Sequence, residues 1–184
     1  MLTTPDVLRR TGGRPIKSIV FDEATIAARV EALAREITAA YPDGELLVLG
    51  LLKGSFIFLS DLVRKIERPI QVDFLVASSY GNKKVSSGTI RLLYDPETRL
   101  EGKHILLVED IIDTGKTLQR LMTLLGGRRP KSLAICALLD KQLAFESRPE
   151  LRFVGFPAPP AFLVGYGLDD AENYRHLPFI ADLE

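Results

Sequence analysis

Apolar positions recur along this chain in two alternating rhythms. Ile26, Val30, Leu33 and Ile37 follow helical spacing, and Tyr41-Pro42-Asp43-Gly44 ends the helix they predict. Leu46–Leu52 is instead an unbroken apolar run, the pattern of a strand buried on both faces. Lys53-Gly54-Ser55 interrupts it. Leu59, Leu62, Val63 and Ile66 return to helical spacing and predict a second helix, stopped before Pro69. Further strands are predicted over 71–78, 89–94, 104–108 and 133–139, with short pieces at 152–156 and 162–164. Leu118, Leu121, Met122 and Leu125 form another helical stripe, closed by Gly126-Gly127. Between the strands at 71–78 and 89–94 lies a polar stretch, 79–88, with two glycines and no apolar period.

Buried strands alternating with amphipathic helices predict an α/β fold with a mostly parallel central sheet flanked by helices. Ligands of such sheets bind at the carboxyl ends of the strands. The loops expected there are 53–55, 109–117 and 140–142, all rich in charged or small polar residues.

Composition narrows the picture. With 184 residues, 46% of them hydrophobic, the chain is expected to form a single domain with a substantial core. Its 24 basic and 24 acidic residues balance, so no global field recruits nucleic acid or an acidic membrane. The one cysteine, Cys136, sits in an apolar run and reads as a buried core side chain. No internal disulfide and no cysteine-based zinc site can form from it. The polar N-terminus lacks the apolar core of a signal peptide, and no apolar run approaches the ~20 residues that span a bilayer. A cytoplasmic location is expected.

The segment Glu109-Asp110-Ile111-Ile112-Asp113-Thr114-Gly115-Lys116-Thr117 carries the chemistry. It follows a buried strand and opens a helix. Free N–H groups at a helix start, together with a glycine and hydroxyls, suit a phosphate. Three carboxylates within five residues repel one another unless a cation or sugar hydroxyls engage them. A phosphorylated sugar with a metal fits both features. A plain solvated turn capped by Asp113 or Thr114 is the blander alternative for either residue alone. It does not account for the whole nonapeptide. A Walker A loop is excluded, because Asp110 stands where its first glycine belongs, and 165–170 lacks the last glycine of a dinucleotide fingerprint. His104 and His176 lie too far apart to suggest a local metal motif.

The stretch 108–118 closely resembles the phosphoribosyl pyrophosphate (PRPP) motif of phosphoribosyltransferases. Leu52-Lys53-Gly54-Ser55, Ser79-Tyr80-Gly81, Asp140-Lys141, Phe153-Val154-Gly155-Phe156 and Val164-Gly165-Tyr166-Gly167-Leu168-Asp169 match in order. Together they make the chain similar to the hypoxanthine-guanine phosphoribosyltransferase family. The resemblance implies a type I phosphoribosyltransferase fold. Its core would run from about residue 20 to 148, with a small hood built by the N-terminus and residues 149–184. The implied reaction transfers 5-phosphoribosyl from PRPP to N9 of hypoxanthine or guanine, giving IMP or GMP and pyrophosphate, with Mg²⁺ as cofactor. A homodimer or homotetramer is implied as well.

In that family Glu109 and Asp110 would face the ribose hydroxyls and the Mg²⁺ shell, and Asp169 would help hold a second Mg²⁺. Asp113 would sit at N7 of the purine as general base. Thr114, Gly115, Lys116 and Thr117 would complete the 5′-phosphate loop, with Lys116 contributing least. Lys53 and Gly54 would bind pyrophosphate, after a peptide expected to be cis between Leu52 and Lys53. Ser55 stands where some relatives have a second glycine. Arg175 would clamp pyrophosphate. Lys141 would donate to the 6-oxo group, which disfavours adenine, itself a donor there. Phe162 would stack on the base, with backbone groups of Leu163 and Asp169 at its far edge. Ser79 and Tyr80 would belong to a lid over 79–88 that excludes water. Two rivals remain open: a xanthine-preferring enzyme, and a non-catalytic PRPP-binding regulator. The regulator would be expected to add a DNA-binding domain or a basic face.

Overall fold

The computed structural model describes residues 2–79, 90–142 and 150–183. The first long helix, α2 (Glu23–Ala40), follows a short helix α1 (Pro5–Arg10) and strand β1 (Ser18–Phe21). Asp22 caps it, accepting from the Thr25 amide at 2.8 Å. Then come β2 (Leu46–Leu52), α3 (Phe56–Val63), β3 (Gln71–Ser79), β4 (Ile90–Tyr94), β5 (His104–Ile112), α4 (Lys116–Gly126) and β6 (Ser132–Asp140). The chain ends with β7 (Leu151–Pro157), β8 (Leu163–Val164) and β9 (Ile180–Asp182).

Six strands form the main sheet in the order β4-β3-β2-β5-β6-β7. All neighbours are parallel except β3 and β4. Alternation along each strand sorts its residues to two faces. Leu46 and Val48, Leu106 and Val108, and Cys136 and Leu138 pack under α2 and α3. Leu47 and Leu49, Ile105 and Leu107, and Ile135 and Ala137 pack under the α4 stripe of Leu118, Leu121, Met122 and Leu125. A strand sandwiched in this way must be apolar throughout, as the run in β2 is.

The chain leaves β2 through α3 towards β3, and leaves β5 through α4 towards β6. The two connections run in opposite directions from the adjacent pair β2–β5. That reversal opens a crevice at the carboxyl ends of β2 and β5, where Lys53-Gly54 and the 109–117 segment emerge.

A second, antiparallel sheet, β1-β9-β8, joins the two ends of the chain. It has its own small core of Val7, Ile16, Val164, Tyr174, Leu177, Phe179 and Ala181. Two sequence expectations need correction here. The second helix ends at Val63, although Ile66 beyond it is still buried. Strand β5 runs four residues past Val108, to Ile112. It continues because Glu109, Ile111 and Ile112 stay paired with β6 after pairing with β2 has stopped at Val108. Glu109 and Asp110 are therefore strand residues with one flank freed towards the crevice, not loop residues. Neither Asp113 nor Thr114 caps α4; Gly115 does, at φ 72°. The predicted polar stretch 79–88 lies outside the described residues except for Ser79, the last residue of β3. No helix among the described residues is long and apolar enough to cross a membrane.

Candidate active site

Three loops interlock in the crevice. After β2 the Leu52–Lys53 peptide is cis, as the motif led us to expect. Gly54 then passes so close to β5 that a Cβ there would collide with the Asp110 carboxylate. Gly167, at φ 103°, presses from the other side, and a Cβ on it would collide with the Gly54 carbonyl. Only glycine tolerates both approaches. Ser55 is fully buried and donates to the Leu51 carbonyl at 2.7 Å. Its hydroxyl is thus satisfied, and serine fits where some relatives have a second glycine.

The acids at the end of β5 differ in environment. Glu109 is half-buried, and its Oε2, shielded from solvent, has no hydrogen-bond partner among the described residues. Burial, with the neighbouring Asp110 second, pushes its pKa well above the usual carboxylate range. Burial also raises Asp110, partly offset by the Ile111 amide, which donates to Oδ1 at 2.7 Å, and by the nearby Arg175 charge. Asp113 lies beyond the strand and is exposed; Lys141 Nζ faces its Oδ1 at 3.9 Å. Lys141 is held there by its own amide, which donates to the Ile112 carbonyl at 3.0 Å.

The 163–175 segment brings the remaining charges. Arg175 Nη2 pairs with Asp169 Oδ1 at 2.9 Å, and Nη1 donates to the Gly167 carbonyl at 2.8 Å. Its Nε is buried without a partner. The Glu172 amide donates to Asp169 Oδ2 at 2.8 Å, so both carboxylate oxygens of Asp169 are engaged. Lys53 Nζ lies 3.0 Å from Glu172 Oε1. Among the described residues no group of three or more His, Cys, Asp or Glu side chains forms a metal cage.

Phe162 is half-exposed at the start of β8, and Leu163 pairs with Asp182 of β9. A cavity of about 470 Å³ is lined by Lys141, Phe162, Lys17, Asp182 and the 158–161 turn. It holds two of the expected base residues but none of 109–117, so it opens beside the Lys141–Asp113 pair and not onto it. Thr114 and Thr117 are exposed around Gly115 at the start of α4; the side chains of Lys116 and Ser79 and the whole of Tyr80 lie outside the described residues.

The structure thus groups Lys53, Gly54, Glu109, Asp110, Asp169 and Arg175 on one side of the crevice. Asp113 and Lys141 stand at its other end. Sequence reading missed Glu172, and it gave Tyr166 and Gly167 no role. The Tyr166 hydroxyl donates to Asp61 Oδ2 at 2.7 Å, tying the 165–168 turn to α3. No local signal points to these partners, which are 105 and 119 residues apart.

A mostly parallel sheet with paired acids and a glycine-capped helix start at its switch point has counterparts among known proteins. The model of the phosphoribosyl transferase domain matches residues 18–170, and the chain belongs to that family of enzymes. Among its relatives is the hypoxanthine phosphoribosyltransferase of Salmonella typhimurium, 47% identical over 88% of this chain and 92% of that protein. The hypoxanthine-guanine phosphoribosyltransferase of Dictyostelium discoideum is 46% identical over 91% of this chain and 96% of its own length. A crystal structure of a hypoxanthine phosphoribosyltransferase from Staphylococcus aureus superposes with a TM-score of 0.89 at 35% identity, covering 98% of this chain and 96% of that one.

Proposed function

We propose that the protein transfers the 5-phosphoribosyl group of PRPP to N9 of hypoxanthine or guanine, releasing pyrophosphate and IMP or GMP. The observation that carries this is the Lys141–Asp113 pair, 3.9 Å apart across the end of the crevice. In the tautomer protonated at N7, which leaves the N9 lone pair free to attack, a free 6-oxopurine presents the O6 acceptor beside an N7–H donor on one edge. An ammonium beside a carboxylate suits that edge: Lys141 donates to O6, and Asp113 takes or shares the proton at N7. Phe162 covers the base face, and backbone groups of Leu163 and Asp169 meet the far edge.

The start of α4 supports a 5′-phosphate site, with backbone N–H groups around Gly115 and the hydroxyls of Thr114 and Thr117. Lys53, Gly54 and Arg175 bind the pyrophosphate. Glu109 and Asp110 accept from the ribose hydroxyls. Half-buried acids with a raised pKa and an orphan oxygen favour a cation or hydroxyl donors beside them. The site therefore suits Mg²⁺, which takes one or two carboxylates and fills its shell from substrate oxygens. Glu109, Asp110 and Asp169 would hold it, and its charge would offset that of the diphosphate. As the C1–oxygen bond lengthens, Arg175 and Lys53 stabilise the leaving group, and N9 attacks from the opposite face of the ribose. Catalysis is positioning and electrostatics. The small sheet serves as a hood over a single domain, and the protein acts in the cytoplasm.

The test mixes protein, PRPP and Mg²⁺ with hypoxanthine, guanine, xanthine and adenine in parallel. Hypoxanthine or guanine is expected to be converted fastest. Asp113→Asn should lower kcat by about 10²–10⁴-fold, and chelation should abolish turnover. Preference for xanthine would overturn the base assignment; PRPP binding without turnover would overturn catalysis.

A further inference from the structure

Lys53 and Arg175, the two cations assigned to pyrophosphate, are not left to water. Lys53 Nζ lies 3.0 Å from Glu172 Oε1, and Arg175 Nη2 lies 3.3 Å from Oε2 of the same carboxylate. One glutamate therefore bridges a lysine of the β2–α3 loop and an arginine of the C-terminal segment, one oxygen to each. Its backbone is fixed by the turn it sits in. The Glu172 amide is spent on Asp169, Ala171 and Glu172 both take positive φ (48° and 68°), and Asp170 pairs with Asn173. The side chain is 64% exposed, so no core packing holds it over the cations. What holds it is charge.

We propose that Glu172 is a stand-in anion, which neutralises the Lys53–Arg175 pair in the empty enzyme and is displaced when the diphosphate of PRPP arrives. This rests on the assignment of Lys53 and Arg175 to pyrophosphate. A carboxylate offers one charge and two oxygens. A diphosphate offers several of each to the same two cations, and it wins. Arg175 keeps its bond to Asp169 when Glu172 leaves, so the guanidinium stays aimed. The bridge works in both directions. The cost of opening it weakens the binding of PRPP and of pyrophosphate alike, because only the fraction of molecules with the bridge open is competent to bind. Reforming it helps to expel pyrophosphate after transfer. Sequence spacing hides this device, since the lysine and the glutamate are 119 residues apart.

Calorimetric titration of Mg²⁺–pyrophosphate and of PRPP into the full chain tests it, with wild type, Glu172→Gln, Asp170→Asn and Arg175→Ala compared. Glutamine keeps the shape of Glu172 and removes its charge. Exposed ion pairs are modest in strength, so Glu172→Gln should bind both ligands about three- to fivefold more tightly. Asp170→Asn removes the same charge from the same turn without touching the bridge, and should change little. Unchanged or weaker binding in Glu172→Gln overturns the proposal. Equal tightening in Asp170→Asn also overturns it, by showing a general charge effect. Arg175→Ala separates the two levels. If it weakens pyrophosphate binding while Glu172→Gln does nothing, the stand-in role falls and the site stands. If Arg175→Ala has no effect, the pyrophosphate assignment falls and the stand-in role falls with it.

Discussion

At Gly54 a single missing methyl decides the geometry of the site. The backbone there runs against the Asp110 carboxylate, and the Gly167 backbone runs against the Gly54 carbonyl. Alanine at position 54 must push either Asp110 or the β2–α3 loop aside. Displacements of about 1 Å cost on the order of 10²-fold in rate, so Gly54→Ala should lower kcat/KM by at least that much. Circular dichroism should show the fold unchanged, because the collision is confined to the crevice. Asp110 and Glu109 tell a related story. Burial raises the pKa of both, a condition that suits a site awaiting cations and hydroxyls and does nothing for the stability of the empty protein.

Between elements, side-chain contacts supplement the apolar packing and the backbone pairing. Tyr166 OH donates to Asp61, fastening the 165–168 turn onto α3, the helix that follows Lys53-Gly54. Burial, then Asp61, pushes the phenol pKa up, so it remains a donor at any working pH. Tyr166→Phe should cost about 1 kcal/mol in urea unfolding, since Asp61 can turn to water once the hydroxyl is gone. At the opposite end of the sheet, His104 opens β5 and is hydrogen-bonded through Nδ1 to Ser132 Oγ of β6 at 2.6 Å. Tyr41 meets its ring edge-on. Burial lowers its pKa, and Lys131 lowers it further, while Asp43 acts the other way. A base with a depressed pKa binds fewer protons folded than unfolded. Its contribution is intact above the ordinary histidine range and is lost as pH falls through the folded value. The urea midpoint of wild type should therefore drop more between about pH 7.5 and about pH 5.5 than that of His104→Gln, measured side by side.

Over the whole molecule, some large apolar side chains stay uncovered. Val72 and Phe74 of β3 and Phe56 of α3 are all exposed, and Phe74 lies on the α3 side, next to Gly50 and Leu59. Exposed large apolar side chains on β3 and α3 suit a second copy of the chain, as the dimer or tetramer implied by the family resemblance would supply. Light scattering should give at least twice the 20.4 kDa chain mass. Phe74→Glu should shift the population towards monomer at low concentration.

The sequence by itself determined the layered α/β fold, because a strand covered on both faces must be apolar throughout and a helix covered on one face must be apolar at helical spacing. It also placed the acids Glu109 and Asp110 and the glycine of 109–117 at one point, because these are contiguous and sit where a strand meets a helix. It stopped β5 too early, since Glu109 and Asp110 look like loop residues until β6 is there to pair with them. It gave no sign of β1 and β9, which are too short to show a period and become strands only by pairing with each other. The tertiary structure alone decided that Gly167 closes on Gly54, that Tyr166 reaches Asp61, and that Glu172 spans Lys53 and Arg175. Those contacts join segments more than a hundred residues apart, and only the folding of the chain's C-terminal part over the crevice brings them within bonding distance.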